Sequence, residues 1–331
     1  MNEAIRIENV TKRYGQIVAL DGVSLSVMRG ELYGLIGPDG AGKSSLYRIL
    51  ATLMSPDSGE ACVLGLDSVR DFRQIRTKIG YMPERFSLYQ DLTVKENLNF
   101  FASLFGVTVK DNYDIISPVF GQLERFLNRR AGALSGGMKQ KLALSCALIH
   151  HPEILLLDEP TTGVDAVSRS EFWDTLDKLR ERDITILVST SYMDEATRCQ
   201  RIAMIDHGHI LDVNTPDGLV ASLGENLFDA SADNMFRLLE ALRRLPDVVS
   251  CYTFGATLHL VGRSDFKPAE ICNRLSSQGL KNVAVTPARG TIEDLFIKLA
   301  QEPTTNPTKG NNQDNIKGFT ESNTRDKNVQ E

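Results

Sequence analysis

Val23, Leu25 and Val27 alternate with polar residues, the period-2 pattern of a strand with one buried face. Residues 32–36 form a short apolar run that ends in glycine, and Leu46, Ile49, Leu50 and Leu53 then recur at helical spacing on one face. Residues 154–157 and 184–188 are apolar runs of the kind found in strands covered on both faces, and Phe172, Leu176 and Leu179 mark a helix between them. Residues 1 to about 222 thus predict an α/β unit around a mostly parallel sheet. From about 85 to 150 the pattern is mainly helical, which predicts a helical insertion in that core. From 225 to 300 Ala256, Leu258 and Leu260 alternate, Val283 and Val285 repeat the period, and Ile292, Leu295, Phe296 and Leu299 share a helix face. That helix opens with Thr291 and has Asp294 three residues on, so this stretch predicts a small C-terminal α/β module. Apolar residues almost vanish from 301 to 331, and a segment that buries so little is expected to be disordered.

Composition narrows the function classes. The 331 residues suit one large unit and a smaller one, with 42% hydrophobic and 24% charged residues, as in soluble globular proteins. A net charge of -6 gives no reason to expect nucleic acid as a partner, since a binder there usually shows a basic face. Cys62, Cys146, Cys199, Cys251 and Cys272 are odd in number and lack paired spacing, which predicts reduced thiols in a cytoplasmic protein. The opening residues Met1-Asn2-Glu3-Ala4 hold no apolar leader. The most apolar long run, 98–109, is shorter than the roughly 20 residues needed to span a bilayer. Any membrane connection is therefore expected through a partner.

Two segments carry the chemistry. Gly37-Pro38-Asp39-Gly40-Ala41-Gly42-Lys43-Ser44 fits the P-loop pattern and lies between a predicted strand and a predicted helix. Glycines let backbone N–H groups turn onto phosphate oxygens, and the helix that follows aims its positive end at the same anion. Lys43 would supply a charge to the β- and γ-phosphates, and the Ser44 hydroxyl would ligate Mg²⁺. In Ile154-Leu155-Leu156-Leu157-Asp158-Glu159 an apolar strand ends at paired carboxylates. Asp158 would then hold Mg²⁺ beside the loop, and Glu159 would polarise the attacking water.

Between these elements stands Leu134-Ser135-Gly136-Gly137-Met138-Lys139-Gln140, which resembles the signature motif of the ABC (ATP-binding cassette) ATPases, with the motifs in the same order. The resemblance covers about residues 4 to 220 and implies a P-loop ATPase core that binds ATP and Mg²⁺. It also implies that Ser135, Gly136 and Gly137 form an anion nest for the γ-phosphate of ATP held by an opposite subunit. Tyr14 sits where the family stacks an aromatic ring on adenine, Ser45 joins the P-loop contacts, and Thr162-Gly163-Val164-Asp165 resembles the D-loop of the dimer interface. The module ending Glu293-Asp294-Leu295-Phe296 is similar to the C-terminal extension of drug-exporter ATPases of the daunorubicin-resistance type.

Two positions depart from the pattern. Glu84 follows Tyr81-Met82-Pro83 where the family usually has Gln, and Ser191 stands where a γ-phosphate-sensing His is usual. Glu84 can still be a metal ligand with Ser44 and Asp158, while serine is too short to reach where an imidazole reaches. Ser for His resembles one half of tandem ABC exporters, which implies a slow site in an asymmetric pair. The resemblance implies an exporter ATPase at the cytoplasmic face of the inner membrane, working with an integral membrane permease and a second nucleotide-binding domain, itself or a relative. Two alternatives stand beside it: a degenerate subunit that mainly completes a partner's site, and a soluble ABC ATPase acting on ribosomes or DNA.

Overall fold

The computed structural model describes residues 3–224 and 226–301; the tail expected to be disordered lies, after Gln301, outside the described residues. β1 (Glu3–Tyr14) and β2 (Ile17–Met28) form a hairpin turned at Gly15, whose φ of 60° suits glycine. β3 (Leu32–Ile36) is buried throughout and leads into α1 (Lys43–Leu50). β4 (Ser58–Val63), β5 (Leu66–Asp67), α2 (Phe72–Arg76) and β6 (Ile79–Met82) follow. Then come α3 (Val94–Leu104), α4 (Tyr113–Phe120) and α5 (Gly136–Leu148), and after them β7 (Ile154–Asp158), α6 (Ala166–Arg180) and β8 (Thr185–Thr190). β9 (Arg201–Asp206), β10 (His209–Asn214) and α7 (Pro216–Ala221) complete the first unit. The rest is β11 (Leu227–Ser231), α8 (Met235–Arg243), β12 (Val248–Phe254), β13 (Thr257–Gly262), α9 (Pro268–Ser277), β14 (Ala284–Pro287) and α10 (Ile292–Gln301).

A six-stranded sheet in the order β10-β9-β3-β8-β7-β6 is the frame of the first unit. Its pairs are parallel except β9–β10. β3, β7 and β8 are buried on both faces because helices cover both sides. Alternation sends Ile154 and Leu156 into a cluster with Leu46 and Ile49 of α1, and Leu155 and Leu157 into one with Leu142 of α5 and Leu176 of α6. The alternating positions 23, 25 and 27 do not join this sheet. They belong to a separate four-stranded antiparallel sheet, β2-β1-β4-β5, whose buried face packs on the α1 side.

The sequence pattern extends the first helix to Leu53, and the structure ends it at Leu50. Thr52 takes φ 59°, its side chain and carbonyl are held by Arg76 at 2.8 Å each, and Leu53 is left exposed. Among the described residues 85–150 hold α3, α4, α5 and short 3-10 turns. α3 is opened by a capping box in which Thr93 and Glu96 bond each other's backbone N–H. α5 is buried on every side from Lys141 to Leu148, as a helix inside the core must be, so its second half packs with the sheet.

The C-terminal strands form a four-stranded antiparallel sheet, β12-β13-β11-β14, over a core with α8 and α9. α10 differs from the expectation that placed it inside this module. Its Ile292, Leu295 and Phe296 join the core of the first unit, the cluster that holds Ala196, Cys199 and Leu219, and α10 packs on α7. Its first turn is bonded to the module: the buried Asp294 accepts from Tyr252 (2.5 Å) and from His259 Nδ1 (2.5 Å), as well as from Thr291.

Candidate functional site

Parallel strands that share one sheet end their carboxyl termini along one edge, and here β3, β7 and β8 bring three loops together. The loop 37–44 follows β3. A Cβ on Gly37 would stand 2.1 Å from the Ile205 carbonyl oxygen, and one on Gly42, at φ 108°, 2.3 Å from that of Ala19. Backbone atoms give no room, so both glycines are dictated by close approach to β9 and β2. Asp39 and Gly40 are exposed at the tip, where a Cβ on Gly40 would meet nothing within 4 Å, while the buried Ala41 donates to Pro38 at 3.2 Å. α1 has no side-chain cap and no acidic residue in its first turn. The N–H groups of Lys43, Ser44 and Ser45 therefore have no acceptor within the helix and form a donor set suited to an anion.

Lys43 is 5% exposed and curls back over the loop. Its ammonium donates to the carbonyls of Gly37 (2.6 Å) and Pro38 (2.9 Å) and forms an ion pair with Glu159 Oε1 at 2.8 Å. Ser44 Oγ donates to Asp158 Oδ1 at 3.1 Å. Burial raises the pKa of Asp158; hydrogen bonds from Ser189 and Ser44 oppose this, and the charges of Glu159 and Glu84 add to it. A hydroxyl and a carboxylate whose charge the site disfavours are hard oxygen donors that a small divalent cation would complete, so the residues fit Mg²⁺. Glu84 is exposed and makes no hydrogen bond or ion pair among the described residues; Asp158 and Tyr81 feel it only as charge. Tyr81 is pushed up to about 12, by burial first and then by Asp158.

Glu159 is nearly buried and adopts φ 49°, the left-handed region that L residues rarely occupy. Its Oε2 accepts from Thr162 Oγ1 at 3.1 Å and from the Ser191 N–H and hydroxyl at 3.2 and 3.4 Å. Lys43, Ser44, Asp158, Glu159 and Ser191 therefore converge. Tyr14 is half-exposed at the end of β1, with its hydroxyl 3.3 Å from Ser45 Oγ and 3.0 Å from Met54 Sδ, so its ring stands beside the first turn of α1.

The motif at 135–137 is placed elsewhere. Ser135 caps α5 by accepting from the Met138 N–H at 3.4 Å, and none of the three residues bonds to the loop 37–44, Asp158 or Glu159 among the described residues. The glycines instead face the chain's own loop 162–165 and the first turn of α6. A Cβ on Gly137 would lie 2.6 Å from Ser168 Cβ, and one on Gly136 3.3 Å from the Gly163 carbonyl.

This geometry has relatives. The ABC transporter family profile matches residues 20–162. The Nod factor export ATP-binding protein I of Rhizobium sp. (strain N33) is 34% identical over 300 residues, 89% of this chain and 96% of that protein. The chain belongs to the ABC transporter ATP-binding family. A probable multidrug ABC transporter ATP-binding protein, YbhF of Escherichia coli (strain K12), is 37% identical to this ABC domain over 306 residues, 90% of the chain. The chain spans about half the length of that relative, 52%. A dimeric, post-hydrolysis structure of the ATP-binding cassette MJ0796 with ADP and Pi shares 29% identity, covers 64% of this chain and 98% of its own, and superposes with a TM-score of 0.58.

The ABC domain also uses groups that motif reading passed over. Thr162 bonds Glu159 from three residues on, a spacing that sequence offers but does not interpret. The buried Glu195 accepts from Thr161 at 3.0 Å and Thr190 at 2.6 Å, so it ties the loop after β7 to the end of β8. Ser189 bonds both Asp158 and the backbone of Glu159. Finding it requires the pairing of β7 with β8, which neither segment states alone. No helix among the described residues is long and apolar enough to cross a membrane.

Proposed function

We propose that this chain binds and hydrolyses ATP and powers a membrane exporter through closure of a nucleotide-binding-domain dimer. The convergence of Lys43, Ser44, Asp158 and Glu159 at one sheet edge carries this reading. Tyr14 offers the adenine a ring, the loop 37–44 and the first turn of α1 offer N–H donors to the phosphates, and Lys43 adds a cation. Phosphate entering the loop competes with Glu159 for that ammonium, so binding frees the Glu159 carboxylate to orient and deprotonate water. Mg²⁺ at Ser44 and Asp158, with Glu84 a third candidate ligand from the loop after β6, would neutralise charge on the phosphates.

The motif at Ser135, Gly136 and Gly137 lies away from the chain's own loop and serves the nucleotide of a second domain, whether another copy or a relative. Both relatives described above are named for transport or export, which favours an exporter over a soluble ATPase working on ribosomes or DNA. The permease is then an integral membrane partner, the segment from Glu84 to Phe101 the route of force, and the cytoplasmic membrane face the place of work. A second reading, that the chain mainly completes a partner's site, is favoured by one observation. Ser191 reaches only Glu159, at 3.4 Å, where a longer side chain would extend past it.

Lys43→Ala tests the assignment. Removing the one side-chain cation of the loop should weaken ATP binding at least tenfold in a nucleotide titration of the purified chain. Unchanged affinity would place the triphosphate elsewhere.

A further inference from the structure

β7 and β8 are parallel neighbours, and their register sets Asp158 directly beside Ser189. Residues in register on adjacent strands present their side chains to the same face. Ser189 is fully buried, so its hydroxyl must find partners within the protein. It donates to Asp158 Oδ1 at 2.9 Å and accepts from the backbone N–H of Glu159, also at 2.9 Å. Ser44 reaches the same Oδ1 from the P-loop side, which leaves Oδ2 without a hydrogen bond among the described residues. Glu159 needs such a tether, because its φ of 49° is a conformation that local structure alone does not hold. The adjacent Thr190 cannot stand in: its hydroxyl is committed to Glu195.

We propose that Ser189 is the positioning residue of this site: one hydroxyl fixes the rotamer of Asp158, turning Oδ2 toward the cation, and the backbone direction of Glu159, aiming its carboxylate at water. The inference rests on the ATPase reading above. Ser189 touches neither phosphate nor water itself and works through its two neighbours. Such outer partners of metal-binding side chains typically govern affinity or rate by about 10- to 100-fold.

The test uses the full chain, with fluorescent ATP binding measured in EDTA and in Mg²⁺ and with steady-state turnover. Ser189→Ala should keep its nucleotide affinity in EDTA within about twofold, because the P-loop is untouched. It should lose about tenfold or more of the extra affinity that Mg²⁺ confers, with KM for Mg-ATP rising in step, and about 10- to 100-fold in kcat. Ser189→Cys, of nearly the same volume but a weak donor, should behave like Ala, whereas Ser189→Thr should recover most of both losses. Ser189→Ala with wild-type Mg²⁺ dependence and turnover overturns the proposal. So does loss of nucleotide affinity in EDTA, which would make Ser189 a folding residue, and so does a Thr variant as poor as Ala with that affinity intact. A wild-type chain that hydrolyses no ATP, alone or paired, would instead overturn the function on which the inference rests.

Discussion

Ser191 and Glu159 meet at 3.4 Å through a hydroxyl and a carboxylate, and that short reach sets the character of the site. The Ser191 hydroxyl hydrogen serves Glu159, so no donor from this side chain extends toward a γ-phosphate. An imidazole at the same position carries a nitrogen two bonds further out and can donate to charge that develops as the phosphate leaves. One preorganised donor of that kind is commonly worth on the order of 10- to 1,000-fold in rate. Ser191→His should therefore raise the steady-state ATPase rate of the isolated chain several-fold, with a smaller effect on nucleotide affinity. An unchanged rate would mean that another step limits turnover and that the serine costs the site nothing. The P-loop, Asp158 and Glu159 could be read from sequence because each is a local string whose residue types the chemistry dictates. Ser189 and Glu195 could not, because a serine or glutamate gains its role only when neighbouring strands set it against Asp158 or Thr161.

At the scale of elements the same division holds. β7 and β8 stand out as apolar runs because helices cover both their faces, and α6 because only one of its faces is buried. β1 does not stand out in the sequence: over its twelve residues the register against β2 shifts repeatedly, which breaks the alternation that would mark it. α10 is legible in the sequence as a helix, down to the bonds between Thr291 and Asp294, while its docking is not. Tyr252 and His259, which bond Asp294, come from strands more than thirty residues earlier, and the partners of Ile292 and Phe296 lie in the first unit. α10 is thus a clasp, with its polar first turn held by the small sheet and its apolar face by the core that contains the segment after Ser191. Asp294→Ala would leave a nitrogen of the buried His259 without its acceptor, at a cost of about 1–3 kcal/mol, and would also remove the acceptor of the half-buried Tyr252 hydroxyl. The expected result is a lower melting temperature in thermal unfolding, with the C-terminal strands releasing at lower denaturant than the ATPase sheet. A stability within about 0.5 kcal/mol of wild type, the usual range for surface substitutions, would show that the clasp is not held at this point.

At the scale of the whole molecule the decisive feature is a separation. Lys43, Ser44, Asp158 and Glu159 sit at the carboxyl edge of the six-stranded sheet, whereas Ser135, Gly136 and Gly137 open α5 against the loop 162–165 and bond to none of them. A γ-phosphate held at the first set is enclosed only if a second molecule brings its own copy of the other. On the proposed function ATP would then act as a bridge whose affinity is shared between two chains, and hydrolysis would remove the bridge. Glu159→Gln isolates the binding half of this cycle. The amide keeps the length and shape of the side chain and can still meet Thr162 and Ser191, yet it cannot take a proton from water, so binding persists while the chemical step fails. It also removes the carboxylate that pairs with Lys43, which leaves the ammonium freer to meet phosphate. In size-exclusion runs with Mg-ATP the variant should elute as a dimer, with itself or with a co-expressed relative, and return to monomer when ATP is replaced by ADP. Wild type under the same conditions should show the dimer only transiently, in step with its own turnover. If the variant stays monomeric at saturating ATP with and without a relative, the two-chain enclosure is wrong, and the 135–137 turn serves α5 alone.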